Sequence, residues 1–246
     1  MKKFVVLVVG ALALTLSACG SSQADGGEDH TPVLQEYFNA FATDVAAQME
    51  PMKSAAAPDS PAYLYAVHQI NLALASESAN GDVAASTATI SEDQVTMVRQ
   101  GLDADITEEQ RAEATTTYSN FTYENGLLAS WTANPGGDVA PRITPVSGSV
   151  TKLGVTLALK TAYIANSGDL FITYEVLNKS KKKASVVVNG YLNPDGRQVQ
   201  VSATPYQVAP VPGAFASGYA VVTQGKLGGS LTIEFDYQTT AKLTVE

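Results

Sequence analysis

The sequence predicts an α+β protein of two domains, a helix-rich one ending in a β-hairpin and then an all-β one. Three observations carry that prediction. Residue usage changes near Pro135-Gly136-Gly137, from alanine, glutamate, glutamine and methionine before it to valine, threonine, tyrosine and glycine after it. Apolar residues recur at helical spacing early in the chain and alternate with polar ones late in it. The 246 residues, less a leader and a tether, suit two domains by length.

Residues 1–18 have the three parts of an export leader: Lys2 and Lys3, an apolar run over 4–14, and the small residues Ser17 and Ala18. The run is shorter than the roughly 20 residues that span a bilayer, so it predicts a cleaved signal and not a retained helix. Leu16-Ser17-Ala18-Cys19, followed by Gly20, resembles the lipobox of bacterial lipoproteins. That resemblance implies acylation of the Cys19 thiol and a membrane anchor on the extracytoplasmic face, held stably by two or three lipid chains. Cys19 is the sole cysteine, so the mature chain can form no internal disulfide and must rely on apolar cores. Residues 19–30, polar and glycine-rich, read as a flexible tether. Asp25, Glu28, Asp29 and His30 within it have metal-ligating side chains, but a mobile segment loses too much entropy on organising a site.

The first domain, 31–135, opens with Leu34, Phe38, Phe41, Val45, Met49 and Met52 at helical spacing, capped by Thr31 with Pro32 at the first helical position. A second helix starts near Asp59-Ser60-Pro61 and carries Leu64, Val67, Ile70 and Leu74. Asn80-Gly81-Asp82 is a turn. Ser91-Glu92-Asp93-Gln94 has capping-box spacing ahead of Val95, Val98 and Leu102, with Gly101 able to close a third helix. Thr107-Glu108-Glu109-Gln110 repeats the cap. Glu124-Asn125-Gly126 between the alternating runs Thr117 to Tyr123 and Leu127 to Trp131 predicts a hairpin.

The second domain, 138–246, reads as antiparallel strands. Val155, Leu157 and Leu159 alternate with polar or small residues, as do Leu170, Ile172, Tyr174 and Val176, then Val186 and Val188, Tyr219 and Val221, and Leu231, Ile233, Phe235 and Tyr237. Turn signals separate them at Asn166-Ser167-Gly168, Asn193-Pro194-Asp195-Gly196, Pro212-Gly213 and Gly228-Gly229. About seven short strands with regular turns and no helical inserts predict an immunoglobulin-like β-sandwich. The stretch Gly168 to Ser180 (GDLFITYEVLNKS) resembles the strand-to-turn core of immunoglobulin-like domains in Gram-positive, actinobacterial-type secreted lipoproteins and antigens. There a strand, an Asn-x-Ser and lysines precede a further strand and an Asp-Gly turn, the place held here by Asn193-Pro194-Asp195-Gly196. The resemblance covers roughly 150–245 and implies fold and location but no chemistry.

Candidate chemistry is sparse. The formal net charge of −9, two units more negative once the leader lysines leave, argues against nucleic-acid partners. His30 and His68 are the only histidines, and no nucleophile elbow accompanies them, so no triad and no catalytic residue is expected. Zinc needs three or four ligands, which the chain does not cluster, and no metal or cofactor is expected. Asp103, Asp105, Glu108 and Glu109 lack the glycine and glutamate spacing of a calcium loop and suit a helix start. Lys179, Lys181, Lys182 and Lys183 form the only basic run, at one tip of the second domain. They read first as a solvated turn and second as a contact for lipid heads or anionic wall polymer. Tyr37, Phe38, Phe41, Tyr63 and Tyr65 concentrate aromatic side chains in the first helices; core packing accounts for Phe38 and Phe41, and the three tyrosines could line a groove. These readings lead to a lipid-anchored, non-enzymatic envelope protein with a binding or assembly role, its partner an envelope protein or wall polymer. A solute-binding lipoprotein of a transport system is the alternative, which a cleft between the domains would favour.

Overall fold

The computed structural model describes residues 29–79, 85–100 and 115–246. The leader, Cys19, most of the tether, the Asn80-Gly81-Asp82 turn, and the stretch carrying Gly101, Asp103, Asp105, Glu108 and Glu109 lie outside the described residues. A helical N-terminal segment is followed by a β-rich region of several antiparallel sheets.

Thr31 is the first residue of helix α1 (Thr31–Phe41) and not its cap, the cap position being that of His30; the Thr31 amide donates to Asp29 Oδ1 at 2.9 Å. The single helix expected through Met52 is three pieces, α1, α2 (Ala46–Met49) and α3 (Pro51–Ala55). Asp44, at φ 52°, turns the chain after α1, and the Thr43 hydroxyl donates back to the Ala40 carbonyl at 2.8 Å. Pro51 has no amide to continue α2, so a new turn starts there. The apolar pattern survives the breaks, and Leu34, Phe38, Met49 and Met52 are all fully buried.

Helix α4 (Pro61–Ser78) begins where expected, with Ser60 Oγ accepting from the Tyr63 amide at 3.2 Å. Its buried face shares only Ile70 with the predicted Leu64-Val67-Ile70-Leu74 stripe. Ala62, Tyr65, Ala66, His68, Ile70, Ala73 and Ala75 are buried, while Leu74 is 37 % exposed. Alanines there let the helix backbone approach its neighbours closely, and neighbours lie on more than one side.

The first sheet is antiparallel with strands in chain order: β1 (Ser86–Ile90), β2 (Val95–Arg99), β3 (Thr115–Glu124), β4 (Leu127–Asn134) and β5 (Gly137–Asp138). The helix expected after Ser91 is strand β2. Ser91-Glu92-Asp93-Gln94 is the β1–β2 turn, closed by the Ser91 amide donating to the Gln94 carbonyl at 2.8 Å. The same serine-first, four-residue pattern serves a turn as well as a cap. Val95 and Met97 are buried at a period of two, and pairing with β3 overrides the helical spacing of Val95 and Val98. The predicted β3–β4 hairpin is present, with Asn125 at φ 52° and Gly126 at φ 77°, the left-handed pair that a two-residue turn requires. Helices and sheet enclose one aromatic core. Tyr37 and Trp131 have ring centroids 5.3 Å apart, Phe38 and Tyr118 4.9 Å, and Tyr65 and Trp131 5.2 Å. Val139 and Ile143, beyond the compositional break, belong to the same core.

A 3₁₀ turn (Ala140–Arg142) leads into the second half, built of β6 (Ile143–Pro145), β7 (Ser149–Lys152), β8 (Val155–Ile164), β9 (Leu170–Asn178), β10 (Val186–Leu192), β11 (Gln198–Val199), β12 (Val201–Thr204), β13 (Phe215–Val222), β14 (Ser230–Phe235) and β15 (Thr239–Thr244). A six-stranded sheet runs β12-β13-β9-β8-β6 with β7 also on β8; a four-stranded one runs β11-β10-β14-β15. Leu157, Ile172, Val176 and Val222 of the larger sheet share one core with Val188, Leu231, Ile233 and Phe235 of the smaller.

Two strand assignments shift. In β13 the residues in that core are Ala220 and Val222, not Tyr219 and Val221. Register explains it: Ala220 lies opposite Ile172 and Tyr219 opposite Thr173, and directly opposed residues share a face. Tyr237 is not on a strand. β14 stops at Phe235, and Tyr237, at φ 53° and 59 % exposed, sits in the turn to β15.

Thr173 marks the other face of the large sheet, and α4 covers it, contacting β13, β9, β8 and β6 while also touching β4 of the first sheet. His68 of α4 is fully buried there. Its Nδ1 is 2.8 Å from Thr161 Oγ1, which is 2.7 Å from Thr173 Oγ1; Nε2 is buried with no hydrogen-bond partner. Burial pushes the His68 pKa down from the ordinary 6.5 to about 3. The folded chain therefore keeps His68 neutral where the unfolded chain already takes a proton. Its contribution is whole above pH 6.5 and is lost as pH falls toward 3, by about 1.4 kcal/mol per pH unit at most. Between pH 6.5 and 5, where carboxylates are still largely ionised, urea titration of the whole chain should show stability falling. His68→Asn, which keeps a polar atom near Thr161 but cannot titrate, should remove that slope; an unchanged slope would place the titrating group elsewhere.

Candidate functional site

Between the two halves lies a cleft of about 330 Å³, lined by Tyr65 of α4, Tyr118 and Trp131 of the first sheet, Val139 and Arg142 of the linking turn, and Tyr163 of β8. Four aromatic rings thus converge from both sides of the compositional break. Arg142, partly buried, is the cationic group among them. Its Nε donates to the Ile164 carbonyl at 2.7 Å and its Nη1 to the Gly136 carbonyl at 2.6 Å. Its Cζ stands 4.8 Å from the Tyr163 ring centroid. Nη2 is buried without a partner, and the guanidinium makes no ion pair among the described residues. A buried donor left unpaired costs about 1–3 kcal/mol, more on a charged group.

The backbone around Arg142 is fitted to hold it. A Cβ on Gly136 would stand 2.9 Å from both Arg142 Nη1 and Asn166 Oδ1, and the glycine sits at φ 146°, where side chains are strained. Asn166 in turn donates from Nδ2 to the Pro135 carbonyl at 2.8 Å, fastening the β8–β9 turn to the linking segment. Burial raises the Tyr65 and Tyr118 hydroxyl pKa values; for Tyr163 burial raises it and the nearby Arg142 charge lowers it. The phenols therefore stay protonated at neutral pH. The cleft offers hydrogen-bond donors, π faces and one cation, a set whose chemistry is complementary to a flat or apolar body with an anionic group.

Tyr65 is in the cleft. Tyr37 is fully buried in the core, its hydroxyl donating to the Ala62 carbonyl at 2.9 Å, and Tyr63 and Phe41 pack against the same core. His68 is in the core beside Tyr163, with its ring centroid 5.5 Å from that of the tyrosine. His30 stacks on Tyr123 at 3.8 Å, and Asp29 accepts from the Thr31 amide, so the end of the expected tether packs against the first half. Among the described residues no group of three or more histidine, cysteine, aspartate or glutamate side chains is arranged for a metal ion, and no helix is long and apolar enough to cross a membrane. Arg142, Trp131, Tyr118 and Tyr163 carry no local sequence signal of a site. An isolated arginine after a proline carries no motif, and only the pairing of β4 and β8 with their neighbours brings these rings together.

Lys179, Lys181, Lys182 and Lys183 are all exposed on the β9–β10 connection, and none forms an ion pair among the described residues. The loop is rigidly seated. Asn178, fully buried, donates from Nδ2 to the Lys182 carbonyl at 2.8 Å and to the Pro210 carbonyl at 2.9 Å, and its Oδ1 accepts from the Ser180 amide at 2.8 Å. Ser180 Oγ adds a bond to the Lys182 carbonyl at 2.7 Å.

No protein-family model matches this chain, and the comparison with curated proteins finds no match.

Asn178 and the lysines should separate in a stability measurement. Asn178→Ala strands two carbonyls and an amide and should cost about 2–4 kcal/mol, read as a lower urea midpoint. Replacing all four lysines by serine should leave that midpoint unmoved, since exposed charges contribute little. Equal losses from both changes would show that the lysines themselves hold the loop.

Proposed function

We propose that this chain is a lipid-anchored extracytoplasmic envelope protein with a non-catalytic binding role, and that its ligand site is the aromatic cleft around Arg142. The guanidinium of Arg142, held among the aromatic rings of the cleft with no ion pair among the described residues, carries the reading. A ligand carboxylate or phosphate supplies the counter-charge to the guanidinium, and the rings of Tyr65, Trp131 and Tyr163 supply apolar walls. Anchoring rests on the export leader and on Cys19 at the end of its apolar run. We further infer that the six- and four-stranded sheets stack as an immunoglobulin-like sandwich, a reading supported by their shared core.

The alternative, a solute-binding lipoprotein that hands its ligand to a transport system, gains from one observation: the cleft is lined from both halves of the chain. In either case the chemistry asked of the protein is recognition, and protonated phenols with one fixed guanidinium suit that task.

Trp131 is the only tryptophan, so the cleft carries its own reporter. Titrating the chain with phenylacetate, hexanoate and phenyl phosphate should change Trp131 emission saturably for at least one of them. Arg142→Met should weaken that binding at least about tenfold, the usual scale for losing a charge-assisted contact. If no anion perturbs Trp131, or the methionine variant binds as well while melting at the same temperature, the cleft is not an anion site.

Membrane fractionation tests the anchor. Cys19→Ala should leave the precursor uncut or release the chain from the membrane; unchanged processing and retention would remove the lipoprotein reading.

A further inference from the structure

We propose that the lysine-bearing end of the second half is a docking surface for an anionic lipid bilayer, independent of both the Cys19 anchor and the cleft. Four loops meet at that end. The Lys179 amide donates to the Gly154 carbonyl at 2.8 Å, joining the β9–β10 loop to the β7–β8 turn. The Gly213 amide donates to the Asn178 carbonyl at 2.7 Å, joining it to the β12–β13 loop. The Asp236 amide donates to the Ser185 carbonyl at 2.8 Å, and the Ser185 amide donates to Asp236 Oδ1 at 2.6 Å, joining it to the β14–β15 turn.

Each of the other three loops brings a large apolar side chain into solvent. Leu153 is 49 % exposed in the β7–β8 turn, Val211 57 % and Phe215 66 % at the β12–β13 loop, and Tyr237 59 % in the β14–β15 turn. Leu153 and Tyr237 hold left-handed backbone, at φ 52° and 53°. A turn facing only water is served better by glycine or asparagine at such a position. Lys152, also exposed, extends the four-lysine run along the same end. Asp236 is a carboxylate there, with one oxygen taken by the Ser185 amide.

Apolar tips among unpaired lysines match the two layers of a bilayer interface: ammonium groups to lipid phosphate, and Leu153, Val211, Phe215 and Tyr237 to the headgroup–acyl boundary. A soluble polyanion would use the lysines alone and leave the apolar tips in water, so the observations favour a membrane. The chain's net charge of −9 opposes contact elsewhere, and screening over about 8 Å at physiological salt lets the basic end act locally and orient the protein.

The test uses the chain from Gly20 onward, which keeps every described residue and lacks the leader and Cys19, so its outcome is separate from that of the anchor. Co-sedimentation compares vesicles of phosphatidylcholine with vesicles of equal parts phosphatidylglycerol and phosphatidylcholine. Binding should need phosphatidylglycerol and weaken with salt. The four-lysine serine variant should bind about a hundredfold more weakly, at roughly fivefold for each lysine near an anionic surface with some loss to screening. Leu153→Asn with Phe215→Ser should weaken binding about tenfold and keep the salt dependence. Lys182→Glu with Lys183→Glu repeats the charge test while leaving Asn178 and Lys179 in place, and thermal melts check that each variant is folded. Equal binding to both vesicle types, no binding to either, or serine and glutamate variants that bind as the parent does would overturn the proposal. So would binding unaffected by Leu153→Asn with Phe215→Ser and competed away by soluble polyphosphate, which would identify a polyanion site.

Discussion

The burial of helix α4 between two apolar layers is the constraint on which the rest of the arrangement depends. One side of the helix gives Tyr65 to the aromatic core of the first half, and another gives His68 to the outer face of the six-stranded sheet. A helix closed in on both sides must be narrow where it is crossed, which the alanines at 62, 66, 73 and 75 provide. It must also satisfy its polar atoms internally. The His68, Thr161 and Thr173 chain does so on one ring nitrogen and leaves Nε2 unpartnered, tolerable because a neutral imidazole need present only an acceptor there.

The cleft follows from that placement. With α4 fixed against β8, Tyr65 and Tyr163 meet edge to face with centroids 5.4 Å apart, and Trp131 closes the group from β4. The linking turn then has only a short distance in which to bring Arg142 back over Tyr163. It does so by spending two of the guanidinium's donors on main-chain carbonyls, Ile164 and Gly136. Neutral acceptors fix the group's orientation without cancelling its charge, so the positive field remains available in a wall of otherwise uncharged aromatic rings. Apolar packing on both sides thus sets up a polar site at their join.

Charge is distributed with the same economy at the far end of the second half. An acidic chain collects five lysines at one end, Lys152 and the four of the β9–β10 loop, and holds that loop by hydrogen bonds, with the buried amide of Asn178 at their centre, and by no ion pair among the described residues. Main-chain carbonyls again take the load, so the ammonium groups stay uncommitted.

Composition and local chemistry determined much on their own: the start of α4, the Asn125-Gly126 hairpin, and most strands of the second half with their turns. These are readable because each depends on neighbours a few residues away, on a cap, a turn conformation or a period of apolar residues. Where two local patterns competed, only tertiary structure decided. Ser91-Glu92-Asp93-Gln94 satisfies both a helix cap and a strand turn, and pairing of β2 with β3 selects the turn. Val67 and Leu74 look like the core face of α4, yet alanines and His68 are buried more deeply because a second layer lies close by. Tyr219 and Val221 alternate as correctly as Ala220 and Val222, and the register against β9 sends them to the helix side. The cleft was the least legible of all. Tyr65, Trp131, Arg142 and Tyr163 are nearly a hundred residues apart at the extremes, and no local rule links them. Their meeting is set by which faces bury apolar area together, a property of the folded chain as a whole.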